Sequence, residues 1–87
     1  MKVYFVVENS NGMYQVACAY LQAIANFISE PMSLERASEC LDILSATAIE
    51  KDYSVGTLEV DMLDIIADDL DVRRKNIVLP IITELDR

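Results

Sequence analysis

Six carboxylates lie within thirteen residues in the second half of the chain, the densest set of side chains here that could do chemistry. They are Glu59, Asp61, Asp64, Asp68, Asp69 and Asp71. On a helix, the spacing i, i+3, i+7 places Asp61, Asp64 and Asp68 on one face. Clustered carboxylate oxygens bind either a divalent cation or the basic side chains of a partner.

A metal site is the weaker of these two interpretations. Calcium usually needs a looped set of oxygens with a turn glycine, and this segment has none. We therefore predict no metal and no cofactor. A solvated helix face and a contact surface for a basic partner both remain open. Asp68 and Asp69 favour the contact surface, because the helix dipole disfavours each anion near the expected C-terminal end by about 0.3–1 kcal/mol.

A short basic run follows the acidic cluster. Arg73, Arg74 and Lys75 are three of the seven Lys and Arg residues of the chain. The simpler interpretation is that they balance the neighbouring carboxylates across a turn. The alternative is that these cations, with Asn76, contact nucleic acid.

This second alternative depends on a resemblance. Residues 57–86 resemble a helix-turn-helix unit, with 66–72 similar to its second helix and turn and Ala67 at the small position where the helices touch. The resemblance implies that a recognition helix begins at Arg73-Arg74-Lys75-Asn76, and that the helix from residue 34 is the first of the unit. Two departures stand out: Asp71 replaces the usual turn glycine, and Pro80 falls inside the recognition helix.

Several kinds of catalysis lack their usual residues. The chain has no histidine, so the commonest general base near neutral pH is missing. Its two glycines rule out a glycine-rich phosphate loop. Cys18 and Cys40 are predicted to be buried free thiols in a reducing compartment. We therefore expect a protein that is not an enzyme.

Composition bounds the class of protein further. The 87 residues make a single compact domain, 1–87. Apolar residues make up 53% of the chain, slightly more than one small core hides, which favours a partner or a homo-oligomer. The net charge of −8 argues against nucleic acid and anionic membranes and favours a protein partner with a basic surface. No apolar stretch approaches the roughly 20 residues that cross a bilayer, so we expect a cytoplasmic protein.

The first third of the chain predicts a hairpin. Residues 2–8 are β-branched and aromatic, and Asn11-Gly12 suits a type I′ turn. Alternation after the turn predicts a return strand, which gives a hairpin over 2–18. The alanine-rich composition from Ala19 onward predicts a helix over 19–30.

Two further helices are expected. Ser33 can cap a helix that runs to about Lys51, because apolar residues recur at 3-4-3-4 spacing from Leu34. Residues 52–56 are predicted to be a loop, and Thr57 to cap a third helix ending near residue 71. Residues 76–85 fit either an edge strand or a fourth helix, and in a strand Pro80 would be confined to a sheet edge or a bulge. The fold class is thus α+β, a β-hairpin packed on three helices.

We expect a small acidic regulator or inhibitor that docks on another protein, for example a nucleic-acid-handling host factor. Small proteins of this kind are often encoded by phages or mobile elements, which is an analogy with a class and not a property of these residues. The alternative is a dimeric DNA-binding transcription regulator that uses the basic run.

Overall fold

The computed structural model describes residues 2–20, 25–47, 53–56 and 60–84. In chain order, the elements are β1 (Lys2–Glu8), β2 (Tyr14–Tyr20), β3 (Ala25–Phe27), α1 (Leu34–Thr47), β4 (Tyr53–Gly56), α2 (Val60–Leu70), a 3-10 turn (Arg74–Asn76) and β5 (Ile77–Glu84). In these parts of the chain, no helix is long and apolar enough to cross a membrane.

The strands form one five-stranded sheet in the order β3-β2-β1-β5-β4. Every neighbouring pair is antiparallel. Strand β1 is therefore central, between its hairpin partner β2 and the last strand β5. The short strands β3 and β4 form the two edges.

The central strand is buried on both faces. Side chains of a strand alternate between the two faces of its sheet. Val3, Phe5 and Val7 enter one core cluster with residues of α2, and Val6 enters the other with residues of α1. The helices thus cover opposite faces of the sheet.

Small side chains let α2 lie close to the sheet. The surface beneath it carries Ala17, Ala19 and Ala25, and the helix itself contributes Ala67, all buried. Larger residues of the same cluster, such as Ile66 and Ile81, fill the remaining space. The alanines of β2 are therefore packing residues of a strand.

Helix α1 begins as its sequence predicts. The Ser33 hydroxyl accepts a hydrogen bond from the Arg36 N–H at 3.3 Å, and the Ser33 carbonyl accepts the Ala37 N–H at 3.0 Å. Ala37 and Leu41 are buried against the sheet. The helix is described as far as Thr47, so its predicted continuation to Lys51 lies outside the described residues.

The prediction of a hairpin packed on three helices is wrong. Residues 19–20 and 25–27 lie in strands where a helix over 19–30 was expected, and 21–24 lie outside the described residues. The expected loop at 52–56 contains β4, residues 53–56. Alanine favours helices, but a strand with small side chains fits beneath α2. Packing against that helix therefore outweighs the helix propensity of alanine here.

The C-terminal segment is a strand, but it is an interior strand and not an edge strand. Strand β5 pairs with β1 on one side and with β4 on the other. Its register with β1 shifts between Val6↔Val78 and Tyr4↔Ile82, so β5 has extra residues there. Pro80 lies in this bulge, where a residue without an N–H costs no ladder hydrogen bond. The peptide bond that precedes Pro80 is cis.

The hairpin loop differs in type from the predicted type I′ turn. The Gly12 N–H donates to the Asn9 carbonyl at 3.1 Å, and the Asn9 N–H donates to the Met13 carbonyl at 2.8 Å. The Asn9 side chain accepts the N–H groups of Asn11 and Met13. Only Gly12 in this loop has positive φ, at 74°. This is a three-residue loop, a type I turn followed by a left-handed glycine.

Replacing Gly12 tests this loop. We expect Gly12→Ala to lower the free energy of unfolding by about 1–2 kcal/mol, because an L-residue resists the left-handed conformation. Space is not the cause, since a Cβ at Gly12 meets nothing within 4 Å. Gly12→Asn is the matched control and should cost less, since asparagine tolerates this conformation. Urea unfolding measures both, and equal losses for Ala and Asn would contradict the backbone explanation.

Candidate functional site

Helix α2 presents a narrow exposed stripe that combines charge with one apolar side chain. Asp61, Asp64, Ile65 and Asp68 lie on its solvent side, opposite buried Ile66. Ile65 is 59% exposed although it is large and apolar. We call these four residues the α2 stripe. The structure thus brings together the three aspartates that the sequence placed on one face.

Asp64 is partly neutralised. Its Oδ1 lies 3.4 Å from Nη1 of Arg74, and the two side chains are 49% and 54% exposed for Arg74 and Asp64 respectively. An ion pair this open to water contributes little stability, about 0–1 kcal/mol. It does show that one cation of the basic run balances the acidic helix across the turn.

Asp69 faces away from the stripe and has a structural role. Its Oδ2 accepts a hydrogen bond from the Ala25 N–H at 2.5 Å. This contact joins the C-terminal turn of α2 to edge strand β3. The helix dipole disfavours an anion at this end of α2, and for Asp69 the hydrogen bond from the Ala25 N–H offsets that penalty.

Asp71 ends the helix. Its φ is 57°, the only positive φ recorded for a described residue other than glycine. The Val72 N–H donates to the Ala67 carbonyl and the Asp71 N–H donates to the Asp68 carbonyl, at 2.9 and 3.1 Å. These two bonds define a Schellman motif, in which a left-handed residue closes the last turn. Asp71 thus occupies the position that glycine usually takes.

The carboxylates of two aspartates of the stripe, Asp61 and Asp68, have no hydrogen-bond or ion-pair partner among the described residues. The last turn of α2 carries no basic residue, so nothing on the helix offsets the dipole penalty at Asp68. Glu59, the first carboxylate of the predicted cluster, lies outside the described residues.

The basic run does not begin a recognition helix. Arg73, Arg74 and Lys75 are exposed, and residues 74–76 form a single 3-10 turn that leads into β5. The Asn76 N–H donates to the Arg73 carbonyl at 2.9 Å and Asn76 is half-buried. The helix implied by the helix-turn-helix resemblance is therefore wrong, and no element from 73 to 84 could lie in a major groove as that motif requires.

Two cavities flank edge strand β3, one on each face of the sheet. An apolar groove of about 270 Å³ lies on the α1 side, lined by Val16, Ile28, Ser29, Cys40, Ile43 and Leu44. A more polar cavity of about 360 Å³ lies on the α2 side, and its lining includes Phe27, Glu8, Asp71 and Arg73. The sequence predicted neither. One signal could have found the groove, since Ile43 lies outside the apolar stripe of α1.

The described residues also include two free thiols and a tyrosine–glutamate hydrogen bond. Cys18 is buried and Cys40 half-buried, and both are free thiols. No group of three or more His, Cys, Asp or Glu side chains in the described ranges could hold a metal ion. The Tyr14 hydroxyl donates to Glu8 Oε2 at 2.6 Å, and this bond raises the pKa of Tyr14 above its ordinary value.

Comparison with protein-family models, with curated proteins and with solved structures gives no match to this chain.

Removing the Asp69 carboxylate tests its structural role. We expect Asp69→Ala to lower the free energy of unfolding by about 1 kcal/mol, because the Ala25 N–H loses its charged acceptor. Asp68→Ala is the matched control: it removes the neighbouring carboxylate, which has no such contact, and should be neutral or slightly stabilising. Chemical denaturation measures both variants. A larger loss for Asp68→Ala than for Asp69→Ala would contradict this assignment.

Asp71 offers a second test at the same turn. We expect Asp71→Gly to raise the free energy of unfolding by about 0.5 kcal/mol, because glycine adopts positive φ without a steric penalty. Asp71→Ala keeps the Cβ and loses the short polar side chain, so it should be destabilising. Thermal melts of the two variants should shift in opposite directions, and a parallel shift would show that conformation is not decisive here.

Proposed function

We propose that this protein is a non-enzymatic regulator or inhibitor that docks, through the α2 stripe, on a protein with a basic surface. The observation that carries the proposal is Asp68, a carboxylate at an unfavourable helix end that no described residue compensates. Its neighbour Asp69 is compensated by a backbone N–H. A charge retained at a cost of about 0.3–1 kcal/mol is well explained by use in binding.

The stripe also contains an apolar anchor. Ile65 stands between Asp64 and Asp68 along the exposed face and is 59% exposed. Protein interfaces combine a buried apolar centre with a polar rim, and the centre supplies most of the binding energy. Ile65 supplies such a centre, and the surrounding carboxylates supply a rim that selects cationic side chains.

The charge of the whole chain supports the same partner. A net charge of −8 attracts a basic surface over several ångströms and accelerates encounter. Proteins that handle nucleic acid carry basic surfaces because they bind phosphates. We therefore propose a partner of that class, and the missing histidine and glycine-rich loop are consistent with a role in binding and not in catalysis.

Charge reversal tests the proposal. We expect Asp61→Lys/Asp68→Lys to abolish capture of the partner from cell lysate, because cations replace the two carboxylates of the stripe that have no ion-pair partner among the described residues. Asp64 is left intact because it already pairs with Arg74. Quantitative mass spectrometry of the captured proteins at low and physiological salt is the readout, and the interaction should weaken as salt screens the charges.

The control for this experiment is Glu35→Lys/Glu39→Lys, which changes the net charge equally on exposed positions of α1, on the opposite face of the sheet. Capture should survive in that variant. If both double variants lose the partner alike, only the net charge matters. If the α2 variant keeps the partner, the stripe is a solvated surface and the proposal fails.

A further inference from the structure

One end of the sheet carries a lysine and two tyrosines on the same face as α1. Lys2 lies directly opposite Tyr20 in the register of β1 and β2, and side chains directly opposite each other point to the same face. Tyr4 follows Lys2 by two positions and therefore shares that face. Because Val3 and Phe5 belong to the core on the α2 side, the other three side chains lie on the α1 side.

The ammonium group of Lys2 lies over both tyrosine rings. Its Nζ is 5.1 Å from the centroid of the Tyr4 ring and 5.2 Å from that of the Tyr20 ring. Both distances are within the roughly 6 Å over which the negative face of an aromatic ring attracts a cation. The two rings, which we call the tyrosine pair, therefore already hold a cation in the unliganded protein.

The two rings differ in how they are supported. Tyr4 is half-buried and packs against the core on the α1 side. Its neighbours across the sheet, Cys18 in β2 and Ile82 in β5, are both buried. Tyr20 is 52% exposed. The tyrosine pair thus combines one ring fixed by packing with one ring that a ligand can reach from solvent.

A lysine is a weak occupant for such a pair. Its ammonium group is compact and strongly hydrated, and it sits on a flexible stem that can swing into water. Cation–π contacts at exposed sites are also the weaker ones of their kind. A trimethylammonium group carries the same charge, but it is weakly hydrated and its methyl groups bury apolar surface against the rings. Aromatic rings therefore prefer it to an unmodified lysine.

We propose that the tyrosine pair is a binding site for a trimethylammonium group, and that Lys2 occupies the site until this ligand displaces it. Trimethylated lysine side chains of proteins and choline share this group. The net charge of −8 favours a cationic ligand further. The site lies on the face of the sheet opposite the α2 stripe, so it goes beyond the proposed function and stands or falls separately.

A cation and its neutral isostere test the proposal. Choline is the probe, and the control is the alcohol in which a tert-butyl group replaces the trimethylammonium group. Titration with choline at constant ionic strength should shift the ring signals of Tyr4 and Tyr20 in NMR spectra. Choline should bind Lys2→Gln about fivefold more tightly than the unaltered protein, because the internal competitor is gone. The neutral isostere should bind both proteins weakly and alike.

Matched variants separate the site from general charge and aromatic content. Lys75→Gln removes an exposed cation elsewhere and should leave choline affinity unchanged. In the Lys2→Gln background, Tyr20→Leu should weaken binding by about two- to fivefold, whereas Tyr20→Phe keeps the ring and should keep the affinity. Phe27→Leu removes an exposed aromatic ring on the α2 side and should have no effect.

A second comparison distinguishes the two sources of the ligand. The probes are a capped pentapeptide of four alanines around a central trimethyllysine and the same peptide with unmodified lysine. The trimethylated peptide should bind about threefold or more tightly than the unmodified one. Tighter binding of that peptide than of choline assigns the site to a methylated protein, and the reverse assigns it to a small molecule.

Several outcomes would overturn the proposal. Equal affinity for choline and its neutral isostere would show an apolar patch without cation selectivity. Equal tightening by Lys75→Gln and Lys2→Gln would show simple charge attraction, and equal loss with Tyr20→Phe and Tyr20→Leu would exclude the ring as the binding group. Thermal melts check that Lys2→Gln folds, and Lys2→Met, which keeps an apolar stem, should show the same gain in affinity. None of these results depends on partner capture by the α2 stripe, so the two proposals fail independently.

Discussion

The rest of the structure depends on a central strand that is apolar on both sides. Strand β1 buries Val3, Phe5 and Val7 on one face of the sheet and Val6 on the other. A hairpin with helices on one side only would leave the apolar side chains of the other face in water. Covering both faces requires a helix on each, and α1 and α2 meet that requirement. Strand β5 then protects the free edge of β1.

The tie between α2 and β3 decides which surfaces remain for partners. The Asp69 carboxylate accepts a hydrogen bond from the Ala25 N–H, so Asp69 contacts the edge strand β3 and is not part of the exposed acidic stripe. The carboxylates that remain exposed around Ile65 form the proposed docking stripe. The carboxylates of one short acidic segment therefore have three roles: one bonds the edge strand β3, one ends the helix, and the others form a candidate interface. Their spacing in the sequence does not distinguish these roles.

Sequence patterns predicted correctly the elements that depend on interactions between residues close together in the chain. Ser33 caps α1, and Asn-Gly places the hairpin loop. The apolar spacing of α2 predicts its buried Ile66 and Leu70, but Ile65, which belongs to the same apolar pattern, is 59% exposed. The errors fall where tertiary packing outweighs propensity. The alanine-rich segment from Ala19 onward looks helical, but Ala19 and Ala25 are strand residues that make room for α2. Pro80 predicts a sheet edge or a bulge for a strand, and the structure has the bulge, in an interior strand and not at an edge.

The sequence by itself determined a small acidic domain without the usual residues of catalysis, with a hairpin and two amphipathic helices, and with carboxylates on one helix face. These properties follow from the composition and from apolar or charged residues that recur every two to four positions. Such recurrence reflects the local geometry of strands and helices. Only the tertiary structure decided that β5 enters the middle of the sheet, that Asp69 binds Ala25 and that Asp64 meets Arg74. Each of these depends on a contact between residues far apart in sequence or in register, and a one-dimensional pattern does not encode such a contact.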